Sequence, residues 1–198
     1  MRWLTLVVIL FVAVAAHAQT NEKLRTELLG MRERDQAARE ACDKGTTDER
    51  VVCYGQVAKR VDGPNTVRLK EIMKSGGFPD AKAVGKDGVE AFYLMLQHSQ
   101  DTEFKKQCLE HITKAFQAKQ LAPMDYANFT DRLLVNLGKP QVYGSNFEFK
   151  DGKLVMSPVE DLKNLDARRS KLGLPPMAEY VKKLKEVFKM DVVDPLRP

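Results

Sequence analysis

The stretch Val89-Glu-Ala-Phe-Tyr-Leu-Met-Leu-Gln-His98 decides the fold. Its apolar side chains cover both faces of a helix, and a helix that is apolar all round belongs in a core. We therefore predict a mainly α protein, with about seven helices around this buried central helix. Gln97 and His98 stand at its C-terminal end, just before the polar run Ser99-Gln100-Asp101. His98 is thus either part of the core or the floor of a site.

The N-terminal residues have the pattern of a targeting segment. Met1-Arg2 gives a positive start, an uncharged apolar run extends to Ala16, and Ala16-His17-Ala18 is a small-x-small cleavage site. The run is shorter than the ~20 residues that a spanning helix needs. This favours a cleaved signal peptide, residues 1–18, over a membrane anchor. We expect an exported protein, periplasmic or extracellular, with no membrane span after cleavage.

Length and charge predict one ordinary globular domain. Residues 19–190 suffice for a single α-helical domain, and residues 191–198 are expected to form a loose tail. The chain carries a net charge of +5, with acidic and basic residues interspersed. That balance is typical of a solvated surface and argues against a nucleic-acid partner. The partner that fits is an unknown small molecule or a component of the cell envelope, and no cofactor is indicated.

Three cysteines remain after the leader. Cys42 and Cys53 bracket a polar turn between two helical stretches, and export permits disulfides, so we predict a Cys42–Cys53 bridge. Cys108 shares a helical apolar stripe with Phe104 and Ile112. It is expected to be a buried free thiol, because thiols in apolar surroundings are inert as nucleophiles.

Residues 22–42 have the pattern of an amphipathic helix with one carboxylate on its inner face. Asp35 falls in the apolar stripe, one turn from Met31. An isolated buried charge is strongly unfavourable, so we expect Asp35 to point inward and to pair with His98 or Arg132. The neighbouring arginines are expected to point elsewhere or to the edges; they are Arg32, Arg34 and Arg39. The stripe itself consists of Leu24, Leu28, Met31, Ala38 and Cys42.

The remaining helices are marked by caps and breakers. We expect helices at residues 49–60, 102–120, 123–137 and on either side of Gly173. Asp62-Gly-Pro-Asn65 is expected to break the second helix, with Asn65 capping a third. An extended loop is predicted from Phe78 through Gly85 to the central helix at about residue 87.

One β-hairpin is predicted at about residues 146–157. Phe147-Glu-Phe149 and Leu154-Val-Met156 alternate around Asp151-Gly152, the dipeptide typical of a type I′ turn. A two-residue loop places Phe149 opposite Leu154 and Phe147 opposite Met156. That shared apolar face must pack on helices, because a lone hairpin is marginal in water.

Several short motifs together resemble a family of mostly bacterial domains of unknown function. They are, in order, Arg34-Asp-Gln36, Gly77-Phe-Pro79, Gln97-His98, Asp131-Arg132, Gly138-Lys-Pro-Gln-Val-Tyr-Gly144 and Asp166-Ala-Arg-Arg169 with Leu172-Gly-Leu-Pro-Pro176. The resemblance covers roughly residues 22–180. This chain departs from the pattern at Phe78, where a tryptophan is usual, and at Asn146, where a glutamine is expected. The resemblance implies a single domain and transfers no catalytic role.

The candidates for chemistry are the polar residues that suit neither a helix cap nor an ordinary surface. They are Asp35, Gln97, His98, Asp131, Arg132, Gln141 and Tyr143. A buried carboxylate beside a histidine orients the ring and raises its basicity, as acid–base sites require. Asp35 and His98 are the candidate catalytic pair, with Asp131 as the substitute carboxylate. The ligand-binding candidates are Gln97, Asp131, Arg132, which could hold an anionic group bidentately, and the donors Gln141 and Tyr143.

Two classes of function fit these residues. The first is an exported module that binds or supports the cell envelope, in which the polar residues merely knit helices to the hairpin. The alternative is an exported hydrolase or lyase with an acid–base site centred on His98. No metal site is predicted, because His98 and His111 do not have the i,i+4 spacing of two ligands on one helix face.

Overall fold

The computed structural model describes the backbone of residues 4–193 and the side chains of residues 22–193 other than Thr47. The protein is mainly α, as predicted, with a small three-stranded sheet in the C-terminal third. The chain divides into two compact units, residues 1–100 and residues 101–198. The single-domain organisation stays a prediction. The signal segment, residues 1–18, lies outside the residues whose side chains are described.

The first unit is built from four α-helices. They are α1 (Leu4–Asp43), α2 (Thr47–Val57), α3 (Gly63–Gly76) and α4 (Ala81–His98), with a π-helical turn (Ala58–Asp62) between α2 and α3. Thr46 and Glu49 form a capping box at the start of α2. The apolar stripe of α1 is confirmed, because Leu28, Met31 and Cys42 are all buried.

The central helix is the most buried element of this unit, as predicted. Between Val89 and Leu96 only Glu90 and Leu94 are not fully buried. The helix packs chiefly against α1. Burying most of its circumference leaves the polar residues at its C-terminal end beside the inner face of α1, where Asp35 lies.

The predicted break at Asp62-Gly-Pro-Asn65 is wrong. Helical backbone continues from residue 47 to residue 76, and Asn65 lies within α3 and caps nothing. Pro64 would clash with the carbonyl four residues earlier in a regular α-helix. The chain instead widens by one residue into the π turn, in which the N–H of Gly63 donates to the carbonyl of Ala58.

The predicted extended loop before the central helix is partly wrong. The Asp80 side chain accepts the N–H of Ala83 at 2.8 Å and starts a helical turn at Ala81. The kink comes at Gly85, whose φ of 71° and ψ of 163° are not helical. Glycine suits this backbone because it has no Cβ to oppose a positive φ.

The Cys42–Cys53 disulfide is confirmed. It joins the last turn of α1 to α2, with a Cα–Cα distance of 5.5 Å. Cys108, on the fifth helix, is free and buried, also as predicted. Burial raises the pKa of the Cys108 thiol to about 12, which keeps it protonated and unreactive.

The second unit combines four α-helices with the sheet. The helices are α5 (Thr102–Gln117), α6 (Pro123–Asn136), α7 (Leu165–Leu172) and α8 (Met177–Phe188). A short 3-10 turn, Leu162–Asn164, leads into α7. The rings of Phe116 and Tyr126 stack with centroids 4.5 Å apart and join α5 to α6.

The predicted hairpin and its register are confirmed. Strand β1 (Phe147–Lys150) pairs antiparallel with β2 (Lys153–Met156), so that Phe147 faces Met156 and Phe149 faces Leu154. Both residues of the Asp151-Gly152 turn have positive φ, as a type I′ turn requires. One hydrophobic cluster of this unit consists of Leu154, Met156, Leu165, Met177, Val181 and Val192. Phe149 stays 46% exposed at the margin of that cluster.

The predicted loose tail needs a correction at its start. Val192 and Val193 form strand β3, which pairs parallel with β2, and Val192 is buried. An apolar dipeptide beside an open strand edge gains both backbone hydrogen bonds and burial. Residues 194–198 lie outside the described residues. Within the described part of the chain, no helix has both the length and the apolarity to cross a membrane.

Candidate functional site

Asp35 and His98 form a direct pair in the first unit. Oδ1 of Asp35 lies 3.0 Å from Nδ1 of His98, which joins α1 to the end of the central helix. The Asp35 side chain is fully buried, and the His98 side chain is 11% exposed. The prediction that Asp35 points inward and pairs with His98 or Arg132 is confirmed, with His98 as the partner.

Arg39 is the third member of this network. It follows Asp35 by one helical turn, and its guanidinium contacts both Asp35 oxygens at 3.3 Å. Its Nη2 also donates to Oδ1 of Asp62 at 2.6 Å. The prediction that Arg39 points elsewhere or to an edge is wrong, because the side chain is long enough to curl back over Asp35.

Asp62 is the fourth member, and the π turn places it there. The buried positions step five residues from Val57 to Asp62 and then four to Thr66. In an uninterrupted α-helix the inward position after Val57 would fall at residue 60 or 61. The extra residue of the π turn therefore gives this inward position to a carboxylate. π turns of this kind are frequent at functional sites.

The two carboxylates have pKa values that are shifted in opposite directions. Burial raises the pKa of Asp35, but the hydrogen bond and charge of His98, and then those of Arg39, outweigh burial and lower this pKa to about 2. At Asp62 burial prevails over Arg39 and His98, so the pKa of Asp62 is raised. Neighbouring carboxyl groups with pKa values driven apart are a pattern of acid–base sites, although structural ion-pair networks also produce it.

The ionised state of Asp35 determines the tautomer of His98. A carboxylate can only accept, so Nδ1 of His98 must carry the hydrogen of the 3.0 Å contact. Nε of Arg39, 3.1 Å from that same nitrogen, then donates to Oδ2 of Asp35 instead. In the neutral ring Nε2 holds the lone pair, and it is the nitrogen that can take up a proton.

Three ligand-type side chains of this network lie close enough to suggest a metal site. One ligand atom each of Asp35, Asp62 and His98 lie within 4.8 Å of one another. Arg39, however, already supplies a positive charge to both carboxylates at hydrogen-bond distance. A metal ion would have to displace that guanidinium, so the donor set fits an internal cation better than a metal.

The hydroxyl groups of Thr66 and Ser99 support the network next to Asp62. Oγ1 of Thr66 lies 2.7 Å from the carbonyl oxygen of Asp62 and 2.8 Å from Oγ of Ser99, and Ser99 is fully buried. These contacts tie α3 to the residue that follows His98. Gln97, predicted as a ligand-binding residue, is half-buried at the preceding position.

The other predicted site residues lie in the second unit, where Asp131 is fully buried on α6. Its carboxylate accepts the backbone N–H groups of Val142, Tyr143 and Ser145 at 2.8–3.2 Å, as well as the Ser145 hydroxyl at 2.8 Å. Both oxygens are thus engaged by the loop at residues 141–146. Asp131 organises that loop, which leaves it poorly suited to replace Asp35 as the carboxylate that orients a histidine.

The side chain of Gln141 also forms hydrogen bonds with the protein's own backbone. Its side-chain amide donates to the carbonyls of Asn146 and Ser157, and its Oε1 accepts the N–H of Asn146. Gln141 therefore ties the loop to the end of β2. Tyr143 is half-buried, with its ring 6.3 Å from that of Tyr126, and Arg132 is half-buried on α6.

Two arginines of α7, which sequence reasoning left without a role, hold the same loop. Arg168 donates to the carbonyls of Val142, Glu160 and Asp161. Arg169 is fully buried and donates to the carbonyls of Tyr143 and Pro175 at 2.7 and 2.8 Å. The adjacent pair in the Asp166-Ala-Arg-Arg169 motif was the available signal, because each guanidinium offers five donors and no acceptor, which suits the carbonyl groups of an irregular segment.

Gly144 shows why the loop needs a glycine directly after Tyr143. Its φ is +68°, and a Cβ at this position would lie 3.1–3.2 Å from side-chain atoms of Met156, Leu165 and Met177. Neither the backbone nor the surrounding core leaves room for a side chain. The loop therefore packs its backbone directly onto the core of the unit.

Comparison with known protein families identifies the family of this chain. The model of a family of unknown function (DUF6624) matches residues 22–193. The chain belongs to this family. No curated protein and no solved structure matches it. Membership in DUF6624 confirms the resemblance drawn from the sequence motifs, and it brings no activity with it.

The DUF6624 match includes both sets of polar residues described above. One set, Asp35 with Arg39, Asp62 and His98, is a network of titratable groups in the first unit. The other, organised by Asp131, satisfies backbone groups in the second unit. Only the first set has the composition of an acid–base site.

Proposed function

We propose that this protein is an exported enzyme of hydrolase or lyase type, with His98 as its acid–base residue. The observation that carries the proposal is the 3.0 Å contact between a buried, ionised Asp35 and Nδ1 of His98. This contact fixes the ring and makes Nε2 the basic nitrogen. A positioned histidine of this kind contributes roughly 10²–10⁴-fold to proton-transfer reactions.

Each member of the network has a role in this proposal. For hydrolysis, His98 removes a proton from water as the water oxygen bonds to the electrophilic atom of the substrate, and it returns the proton to the leaving group as the bond between that group and this atom breaks. For elimination, His98 removes a proton from a carbon next to a carbonyl group, the freed electron pair forms the new double bond, and the leaving group departs with its bonding electrons. Asp35 stabilises the imidazolium that results. Arg39 holds Asp35, and Asp62 holds Arg39 through the 2.6 Å contact. With both carboxylates ionised, protonation of His98 brings the network from a charge of −1 to neutrality.

Export is the second part of the proposal. It is supported by the leader pattern of residues 1–18 and by the Cys42–Cys53 disulfide, since disulfides persist in oxidising compartments. Both features fit the periplasm and the extracellular medium equally.

A second candidate, a binding or structural module of the cell envelope, is favoured by one specific observation. The polar side chains of Asp131 and Gln141 are used by the protein's own backbone. If the Asp35–His98 pair serves the same purpose, the polar residues only hold helices and loop together.

A substrate panel with matched histidine variants tests the proposal. Esters, amides, phosphoesters, glycosides and β-eliminating substrates would be assayed with wild type, His98→Gln and His111→Gln; His111 is exposed on α5 and serves as the control. The proposal expects an activity that falls by about 100-fold or more in His98→Gln and is retained in His111→Gln. A turnover that is insensitive to His98→Gln would refute it. Failure of diethyl pyrocarbonate to modify His98 in the folded protein would favour the module.

A further inference from the structure

Arg39 has a contact outside the network described above. Its guanidinium carbon lies 5.9 Å from the centre of the Tyr54 ring, within the range at which a cation is attracted to an aromatic face. Tyr54 is half-buried on α2. Its hydroxyl donates to Oδ1 of Asp43, at the end of α1, at 2.7 Å.

The disulfide lies directly beside this tyrosine. Cys53 precedes Tyr54 in the chain, and Cys42 precedes Asp43. The covalent bond therefore joins the two helices at the same level as the Tyr54–Asp43 hydrogen bond. Cys42 also follows Arg39 by three residues on α1. The disulfide therefore constrains both the backbone that carries Arg39 and the Tyr54 ring that its guanidinium faces.

We propose that Tyr54, held in place by the Cys42–Cys53 disulfide, is a positioning residue for Arg39. The catalytic consequence rests on the proposed function, whereas the positioning itself does not. Arg39 must satisfy two carboxylates at once while its Nε lies 3.1 Å from a nitrogen of His98 that already carries a hydrogen. The Tyr54 ring, which lies on the outer side of the Arg39 guanidinium, keeps this group in contact with Asp35 and Asp62.

Tyr54 is suited to this role because it stays neutral. Burial, and then the hydrogen bond to Asp43, raise the pKa of Tyr54 to about 12. A neutral phenol presents a π face without adding a charge that would compete with Asp35 and Asp62. Its hydroxyl, which points to Asp43, fixes the orientation of the ring.

The turn between α1 and α2 has supports besides the disulfide. Arg50 donates to the carbonyls of Gly45 and Asp43 at 3.0 and 2.7 Å. Thr46 and Glu49 cap α2. A Cys42→Ser/Cys53→Ser protein is therefore expected to fold, with α2 less tightly fixed against α1.

The test follows the Nε–H resonance of Arg39 by ¹H–¹⁵N NMR, with circular dichroism to confirm folding. Three proteins are compared with wild type: Tyr54→Leu, Tyr54→Phe and the double serine variant. Tyr126→Leu, in the second unit, controls for the loss of a half-buried tyrosine. We expect the resonance to shift or disappear in Tyr54→Leu and in the double serine variant. It should be largely retained in Tyr54→Phe, which keeps the ring, and unchanged in Tyr126→Leu.

The outcomes separate this inference from the proposed function. An Arg39 resonance that is the same in folded Tyr54→Leu as in wild type overturns the positioning role. If Tyr54→Leu does not fold, the other two variants decide. An Arg39 resonance that is unchanged in the double serine variant overturns the positioning role, and so does loss of this resonance in Tyr54→Phe. The substrate panel remains the separate test of catalysis, because the resonance reports the position of Arg39 whether or not His98 turns over any substrate.

Discussion

Asp35→Asn is the most direct perturbation of the buried network. Asparagine keeps the shape of the side chain but removes its charge. Oδ2 of Asp35 accepts from Gln36 at 2.7 Å and from Arg39 at 3.3 Å. In the variant, an amide NH₂ group must either face these donors or turn towards Nδ1 of His98. In the first orientation the NH₂ group faces the donors of Gln36 and Arg39, and in the second it faces Nη2 of Arg39, which contacts Oδ1 of Asp35 in the wild type. Both orientations therefore leave one donor opposite another donor.

The magnitude follows from the shifted pKa. Asp35 has a pKa of about 2 in the folded protein against an ordinary value of 3.8. At ~1.4 kcal/mol per pKa unit, the ionised carboxylate stabilises the fold by about 2 kcal/mol at neutral pH. A lowered pKa stabilises above the unfolded-state value, and this contribution is lost as the pH falls through 3.8 towards 2. By pH 3 about half of it should remain.

Urea unfolding at pH 7 and pH 3 measures this contribution. We expect Asp35→Asn to lower the free energy of unfolding by about 2–3 kcal/mol at pH 7 and by clearly less at pH 3. Asp87→Asn is the matched control, because Asp87 also pairs with an arginine and its pKa is also lowered to about 2, but its side chain is 37% exposed. Solvent screening should make that substitution the milder one. A loss in Asp35→Asn that is equal at both pH values would refute the electrostatic reasoning.

Three further predictions concern stability. Asp131→Asn should cost about 3 kcal/mol or more, because hydrogen bonds from backbone N–H groups to a buried charge are lost; urea unfolding that differs by under ~1 kcal/mol would contradict the role of Asp131 in the loop. The double variant Cys42→Ser/Cys53→Ser should lose roughly 2–3 kcal/mol in the chain-entropy model, seen as a lower urea midpoint than that of the oxidised wild type. Gly144→Ala should cost ~1–3 kcal/mol more than Gly138→Ala, because the two glycines share a φ near +69° but only Gly144 is crowded. Equal losses in thermal or urea unfolding would show that the core yields at Gly144.

The features that could be predicted from the sequence are those that local patterns determine. The apolar faces of the central helix, the position of Asp35 on the inner stripe and the hairpin register all follow from periodicity and turn chemistry. The disulfide follows from two cysteines on either side of a short turn. Each of these depends on residues close together in the chain, so no knowledge of the tertiary structure was needed.

The roles of Arg39 and Asp62 could not be found in this way. Periodicity assigns a direction to a Cβ atom, but the guanidinium of Arg39 lies several bonds beyond it and can return to the inner face. Asp62 was hidden by Gly63-Pro64, which normally indicates a break. The available signal was the spacing of the inward-facing residues. From Val57 to Leu69 this spacing fits a helix only if one extra residue is inserted after Val57.

The polar residues of the second unit illustrate a different limit. The sequence singles out Asp131 and Gln141 as ligand-binding candidates, and both side chains are buried. Whether such a side chain serves a ligand or the backbone depends on which groups surround it, and the irregular loop at residues 141–146 contains several N–H and C=O groups that no helix or strand pairs. Irregular backbone that is buried needs such partners, so the structural role of these two residues follows from the loop.

The composition of the first network argues for more than stability. Arg39 alone offers enough donors to satisfy Asp35 and Asp62, and one guanidinium between two carboxylates leaves a single negative charge to balance. A lysine or a second arginine would balance it permanently. The network instead contains an imidazole, the side-chain type whose ordinary pKa lets its charge change between about pH 5 and 8. A site that moves protons can use such a member as its acid or base, and the proposed function assigns this role to His98. His98 is therefore the residue on which tests of function should concentrate.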